Sequence, residues 1–192
     1  MRTRHLLSLS TVVAASFTLA PMARAQQPMP DQATAVEIRS RFLSDLDSLQ
    51  SKFLQLANAF PDDKYGWRPG PGVRSVAEVF MHVASEYYLY TPLAYGGTRS
   101  PVIPRQQGAL QTFEKSASAK SDVLKHLNDS FAYTKQQLNA LTPAQITGTQ
   151  KLFGRDMTIV ETTLIMSDDL HEHLGQLIAY ARMNGIVPPW SK

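Results

Sequence analysis

The chain has no cysteine among its 192 residues. It therefore has no disulfide to brace it and no thiolate to serve as a nucleophile. It also lacks a basic patch. Arg2, Arg4 and Arg24 are the only charged residues before Gln26, which leaves 19 − 3 = 16 basic side chains against 16 acidic ones in the remainder. A neutral domain of this kind argues against nucleic acid and anionic lipid as partners. No internal repeat, heptad array, low-complexity tract or strand-rich tract is present, so a repeat array or an extended coiled coil is excluded. The apolar run from Leu6 to Leu19 falls short of the ~20 residues that span a bilayer.

What the chain does have begins with a basic start, that short apolar run, and Ala23 and Ala25 ahead of the polar Gln26. This is the layout of a cleavable secretory signal. The expected organisation is a signal peptide at 1–25, a Pro-containing linker at 26–33 and one globular domain at 34–192. Cleavage after Ala25 leaves an exported protein, periplasmic or secreted, with no membrane attachment. At 43% hydrophobic and 18% charged, the domain is large enough to bury a real core.

Four helical patterns follow. Thr34 with Glu37 reads as a capping box, and Phe42, Leu46, Leu49, Phe53 and Leu56 recur at steps of four and three up to Pro61. The connection PDDKYGWRPGPGVR is turn chemistry with Tyr65 and Trp67 as anchors, and Trp67 is expected to lie over one end of the bundle. Ser75 with Glu78 opens a second helix that Pro92 and Gly96-Gly97 close. A long irregular stretch from Thr91 to Gly108 leads to a third helix over roughly Leu110–Leu141, whose apolar row is interrupted by Lys120 and Thr134. Thr142-Pro143 stops it, and the segment KLFGRDM is a short extended piece. Thr158 with Glu161 caps a fourth helix of about seven turns, which Asn184-Gly185 and Pro188-Pro189 end. The fold class is all-α, an antiparallel four-helix bundle with long connections.

Bundles build metal sites from side chains on facing helices, and two helices offer material for one. His173 sits in the apolar row of the fourth helix, and Asp169, four residues earlier, shares its face. His171 is displaced by about 200° and points elsewhere. On the second helix His82 and Glu86 are likewise four apart. Each histidine, taken alone, is equally well explained as a packed core residue, and His126 falls off its seam as a solvated one.

The run WRPGPGVRSVAEVFMH from Trp67 to His82, then HLGQL from His173 to Leu177 and YARMNGIVPP beyond it, resembles the DinB superfamily of bacterial proteins over nearly the whole domain. The resemblance implies a four-helix bundle holding a divalent metal. One histidine comes from the second helix and two, four residues apart, from the last. His82 matches the first and His173 the last, while the middle position falls on Asp169. The implied ligand set of His82, Asp169 and His173 leaves an open position, as in catalytic zinc. Zinc is the first expectation, and nickel, manganese or iron are alternatives. Glu86 is the candidate base for metal-assisted hydrolysis of an unidentified small-molecule substrate. Some relatives are transferases or isomerases in which the metal activates a small-molecule thiol, so a transferase is the other enzyme reading. A non-enzymatic bundle holding metal or a small ligand, and a stress-related structural protein, stay open beside them. Exposed faces of such a bundle would suit a homodimer.

Overall fold

A computed structural model of the chain describes residues 29–191. The expected signal peptide at 1–25 lies outside the described residues. Helix α1, Gln32–Ala59, buries the expected row of Phe42, Leu46, Leu49, Phe53 and Leu56. It starts earlier than the Thr34 box predicts. Asp31 is the N-cap and accepts from the Thr34 backbone N–H at 2.7 Å, while Glu37 pairs with Arg41 one turn on. An Asp caps as well as a Thr, and capping three residues upstream adds most of a turn.

Helix α2, Val76–Tyr95, begins with the Ser75–Glu78 capping box, both halves of which form. Pro92 does not end it as expected. A proline in the last turn forfeits one hydrogen bond without breaking the turns before it, and the helix stops where Gly96 takes a left-handed conformation at φ 67°. The predicted third helix is two. Helix α3 is Ala109–Glu114 and helix α4 is Lys120–Asn139. Lys120, the polar interruption of the expected seam, donates to the carbonyls of Asn58 and Phe60 at 2.8 and 2.9 Å. It thereby satisfies carbonyls at the end of α1.

After α4 come a one-turn helix α5, Pro143–Thr147, capped by Thr142 and Gln145, and a hairpin of strands β1, Thr149–Leu152, and β2, Arg155–Thr158. The register pairs Thr149 with Thr158 and Leu152 with Arg155. The two turn residues, Phe153 and Gly154, have φ of 50° and 75°, the positive pair that a tight hairpin needs. Helix α6, Ile159–Met183, starts at the Thr158–Glu161 capping box and ends at Asn184, as its pattern predicts.

The four long helices form a ring in which α1 and α2 each pack against both α4 and α6. Lys120 meets the end of α1 and Lys135 meets Asp47, so α1 and α4 run antiparallel. Tyr87 meets Phe131 edge to face and Thr91 bonds Thr134, so α2 and α4 run parallel. His82 meets His173 and Tyr95 meets Thr163, so α2 and α6 run antiparallel. Parallel neighbours need a connection as long as the bundle, about 30 Å for a 20-residue helix. The 96–119 segment supplies it. At one end the 60–75 connection folds back under α2. The first two N–H groups of α2, at Val76 and Ala77, donate to the Trp67 and Tyr65 carbonyls, and Trp67 stands edge-on to Tyr180 at 5.4 Å. At the same end the Tyr180 hydroxyl donates to the Arg74 carbonyl. Among the described residues, no helix is long and apolar enough to cross a membrane.

Candidate metal centre

Residues four apart share a helix face, so α2 and α6 each bring an imidazole and a carboxylate to their common seam. The rings of His82 and His173 meet edge to face with centroids 4.7 Å apart. Glu86 lies between them, with Oε1 3.2 Å from His82 Nε2 and Oε2 3.6 Å from His173 Nε2. One ligand atom from each of these three residues falls within 4.8 Å of the others. Asp169 is adjacent rather than enclosed. Its Oδ1 is 3.6 Å from His173 Nε2, but its side chain is 40% exposed against 14% for Glu86 and His173. The structure thus brings all four sequence candidates together and puts Glu86, expected as a base, in the more enclosed of their two carboxylate positions. His171 faces α1, its Nδ1 2.8 Å from the Ser167 carbonyl and its Nε2 4.0 Å from Asp45, as its helical phase requires.

The outer nitrogens of both imidazoles are engaged. Glu114 Oε1 lies 2.7 Å from His82 Nδ1, and Arg74 holds the Glu114 carboxylate from the other side with two bonds of 2.9 and 3.2 Å. Gln176 Oε1 lies 3.2 Å from His173 Nδ1. The orientation of that amide follows from its neighbour. The Tyr180 hydroxyl donates to the Arg74 carbonyl at 3.2 Å, so toward Gln176 it acts as an acceptor and the amide nitrogen faces it at 3.1 Å. Each Nδ1 therefore meets an acceptor. An imidazole whose Nδ1 carries the proton has its lone pair on Nε2, and both Nε2 atoms point at Glu86.

Burial makes the cluster electrostatically tense. Glu86 is pushed up to about 9, first by burial and then by Asp169, both as a hydrogen-bond partner and as a like charge. The contact between these carboxyls is a hydrogen bond only while one of them keeps a proton. With both ionised, Glu86 Oε2 is a buried oxygen without a donor among the described residues. His82 is lowered, mainly by burial and then by the nearby Arg74 charge. Burial alone would raise Glu114, yet the bonds from Arg74 and His82 outweigh it and hold the carboxylate below its ordinary value. Two imidazoles whose Nε2 atoms face one buried carboxyl group are a donor set that a divalent cation fits.

Glu114 and Arg74 are the functional candidates that sequence reasoning missed. A continuous third helix gives Glu114 no reason to face α2. The break after Glu114 redirects it, and Lys120 was the visible sign of that break.

A family model for the DinB superfamily matches residues 45–177, a span that contains every residue of the cluster except Tyr180. The fold is also similar to crystal structures of DinB-like proteins. One, from Bacillus subtilis, is 21% identical with a TM-score of 0.59, over 76% of this chain and 92% of that one. Another, from Bacillus cereus ATCC 10987, is 17% identical with a TM-score of 0.57, over 77% and 93%. No curated protein matches the chain.

Proposed function

Since the chain belongs to the DinB superfamily, we propose that it is an exported metal-dependent hydrolase of a small molecule, its divalent cation held by His82, Glu86 and His173. The observation that carries this reading is the unequal setting of the two carboxylates. Glu86 is enclosed between both imidazoles, whereas Asp169 is 40% exposed at 3.6 Å from His173 Nε2. Three ligands leave a coordination position open, and the side left open to solvent is the one on which Asp169 stands. A cation held there would supply Lewis acidity and a lowered pKa of water. Asp169, the more exposed carboxylate beside His173, would serve there as the proton acceptor. His82 and His173 would present Nε2 to the cation, while the Glu86 carboxylate would offset part of its charge.

Zinc is the first cation to test, with iron, manganese and nickel as alternatives that two imidazoles and a carboxylate also suit. The chain has no thiol of its own, so transferase chemistry at the same centre would need an external one. Export rests on Arg2, Arg4, the Leu6–Leu19 run and Ala25. N-terminal sequencing of the exported protein should begin at Gln26, and a Met1 start would remove that part of the proposal.

Elemental analysis tests the centre. His82→Ala, Glu86→Ala and His173→Ala should each lose zinc, and His171→Ala should keep it. Asp169→Asn should keep zinc and lose turnover of a small ester or amide by about 10²- to 10⁴-fold. Stoichiometric zinc with no turnover across a broad panel would replace the hydrolase with a non-enzymatic metal-binding bundle.

A further inference from the structure

Glu114 touches no candidate ligand position directed at the cation, yet it makes one of the shortest side-chain contacts in the cluster. We propose that Glu114, anchored by Arg74, is a positioning residue that fixes His82 with its Nε2 lone pair toward the metal centre. The proposal rests on the metal reading above but stands on separate atoms.

Three observations support it. The Glu114 side chain is nearly enclosed, at 9% exposure, and its Oε1 sits 2.7 Å from Nδ1 of an imidazole that is itself 13% exposed. Arg74 binds both oxygens of that carboxylate. An ionised carboxylate in a two-point guanidinium contact only accepts, so Nδ1 must donate. A neutral imidazole carries one N–H, which leaves Nε2 as the lone pair. Finally, Arg74 reaches the second imidazole too. Its carbonyl accepts from Tyr180, which meets Gln176, which in turn meets His173 Nδ1. One residue at the entrance to α2 thus sets the reference for both rings. Such outer contacts orient metal-binding histidines and raise their basicity.

The arrangement also gives the 96–119 crossover a role beyond spacing. Glu114 ends α3 and stands 32 residues from His82 in sequence. Helix α3 packs against α2 and carries Glu114 buried on that side.

The test has two arms. In chelator-treated protein at about pH 8, above the ordinary histidine pKa, long-range proton–nitrogen spectra read which nitrogen of His82 is protonated. Wild type and Glu114→Gln should show Nδ1–H, because the amide oxygen accepts the same bond. Glu114→Ala should populate the Nε2–H form. In zinc titrations Glu114→Ala should bind about 10- to 100-fold more weakly, and Glu114→Gln should recover most of that loss. A merely structural Glu114 would lower the melting temperature of the Ala variant and leave the tautomer unchanged. An Nε2–H His82 in wild type, or wild-type zinc affinity in folded Glu114→Ala, overturns the proposal. Wild type that takes up no zinc but shows Nδ1–H sinks the metal reading while supporting the Glu114 contact.

Discussion

Toward α4, helix α2 presents Tyr87, Tyr88 and Thr91 to Phe131, Tyr133 and Thr134, whereas toward α6 it presents His82 and Glu86 to His173 and Asp169. The α4 seam is held by burial. Phe131 lies between Phe53 at 5.9 Å and Tyr87 at 5.0 Å, and both Phe131 and Tyr87 are nearly inaccessible. Each such side chain contributes about 1.5–3 kcal/mol. The α6 seam gathers groups that are costly to bury when charged. One helix therefore carries a face that stabilises the fold and a face that spends stability on chemistry, and the two should respond differently to substitution.

The largest effect should come from the dry seam. Phe131→Ala should cost about 3–5 kcal/mol, read from the denaturant midpoint, because its aromatic partners cannot collapse into the void without shifting two helices. Zinc stoichiometry in the remaining folded protein should be unchanged. A harmless Phe131→Ala would mean that the seam is not packed as described.

The wet seam should show itself through pH. Glu86 is raised in the folded protein from its ordinary 4.5 to about 9, so between those values the native state holds a proton that the unfolded chain has released. Stability of the metal-free protein is then full below about 4.5 and falls as pH rises toward 9. His82 is lowered and acts in the opposite sense, but only below its unfolded value of about 6.5. The window from about 7 to 9 therefore isolates Glu86. Chelated wild type should lose on the order of 1–3 kcal/mol across it, and Glu86→Gln should be nearly flat. An equally steep Glu86→Gln curve would assign the slope to another group.

The same contrast explains how much could be read in the sequence. The dry seams are periodic, so Phe42 to Leu56 on α1 and Leu127, Phe131 and Leu138 on α4 were legible as apolar rows, and all are buried. Ser75 and Thr158 announced their helices because a cap needs only a residue three positions away. The site was half legible for a related reason. His82 and Glu86, like Asp169 and His173, share a face by spacing within one helix, and the family resemblance paired the helices. Which carboxylate is enclosed depends on the packing of α2 against α6, which no local pattern encodes. Glu114 was hidden for the strongest form of that reason. Its contact with His82 depends on a helix break and a long crossover.

A smaller change of opposite sign should come from the one flaw in the dry seam. The Tyr87 hydroxyl is buried and has no hydrogen-bond partner among the described residues, and its burial keeps the phenol from ionising. Tyr87→Phe keeps the ring contact with Phe131 and removes the orphan oxygen. It should leave stability unchanged or raise it by about 1 kcal/mol, as a shift in melting temperature. A clear loss would show that the hydroxyl has a partner, with ordered water the first to look for.

The smallest net effect should come from removing a polar pair whole. Thr91 and Thr134 bond each other through their hydroxyls at 2.9 Å, and both side chains are fully buried. Thr91→Val alone leaves the Thr134 hydroxyl with a lost partner in an apolar setting and should cost about 1–3 kcal/mol. Thr134→Val should do the same from the other side. The double Val variant removes both hydroxyls at nearly constant shape, so its cost should fall back toward zero, well below the sum of the singles. The corresponding experiment on the wet seam has a different outcome. Replacing His82 and Glu86 together by apolar residues removes the centre and also takes from the buried Glu114 its His82 partner. A dry-seam double variant as costly as the two singles combined would mean that Thr91 and Thr134 each serve a separate partner, and that the two faces of α2 differ less in kind than their residues suggest.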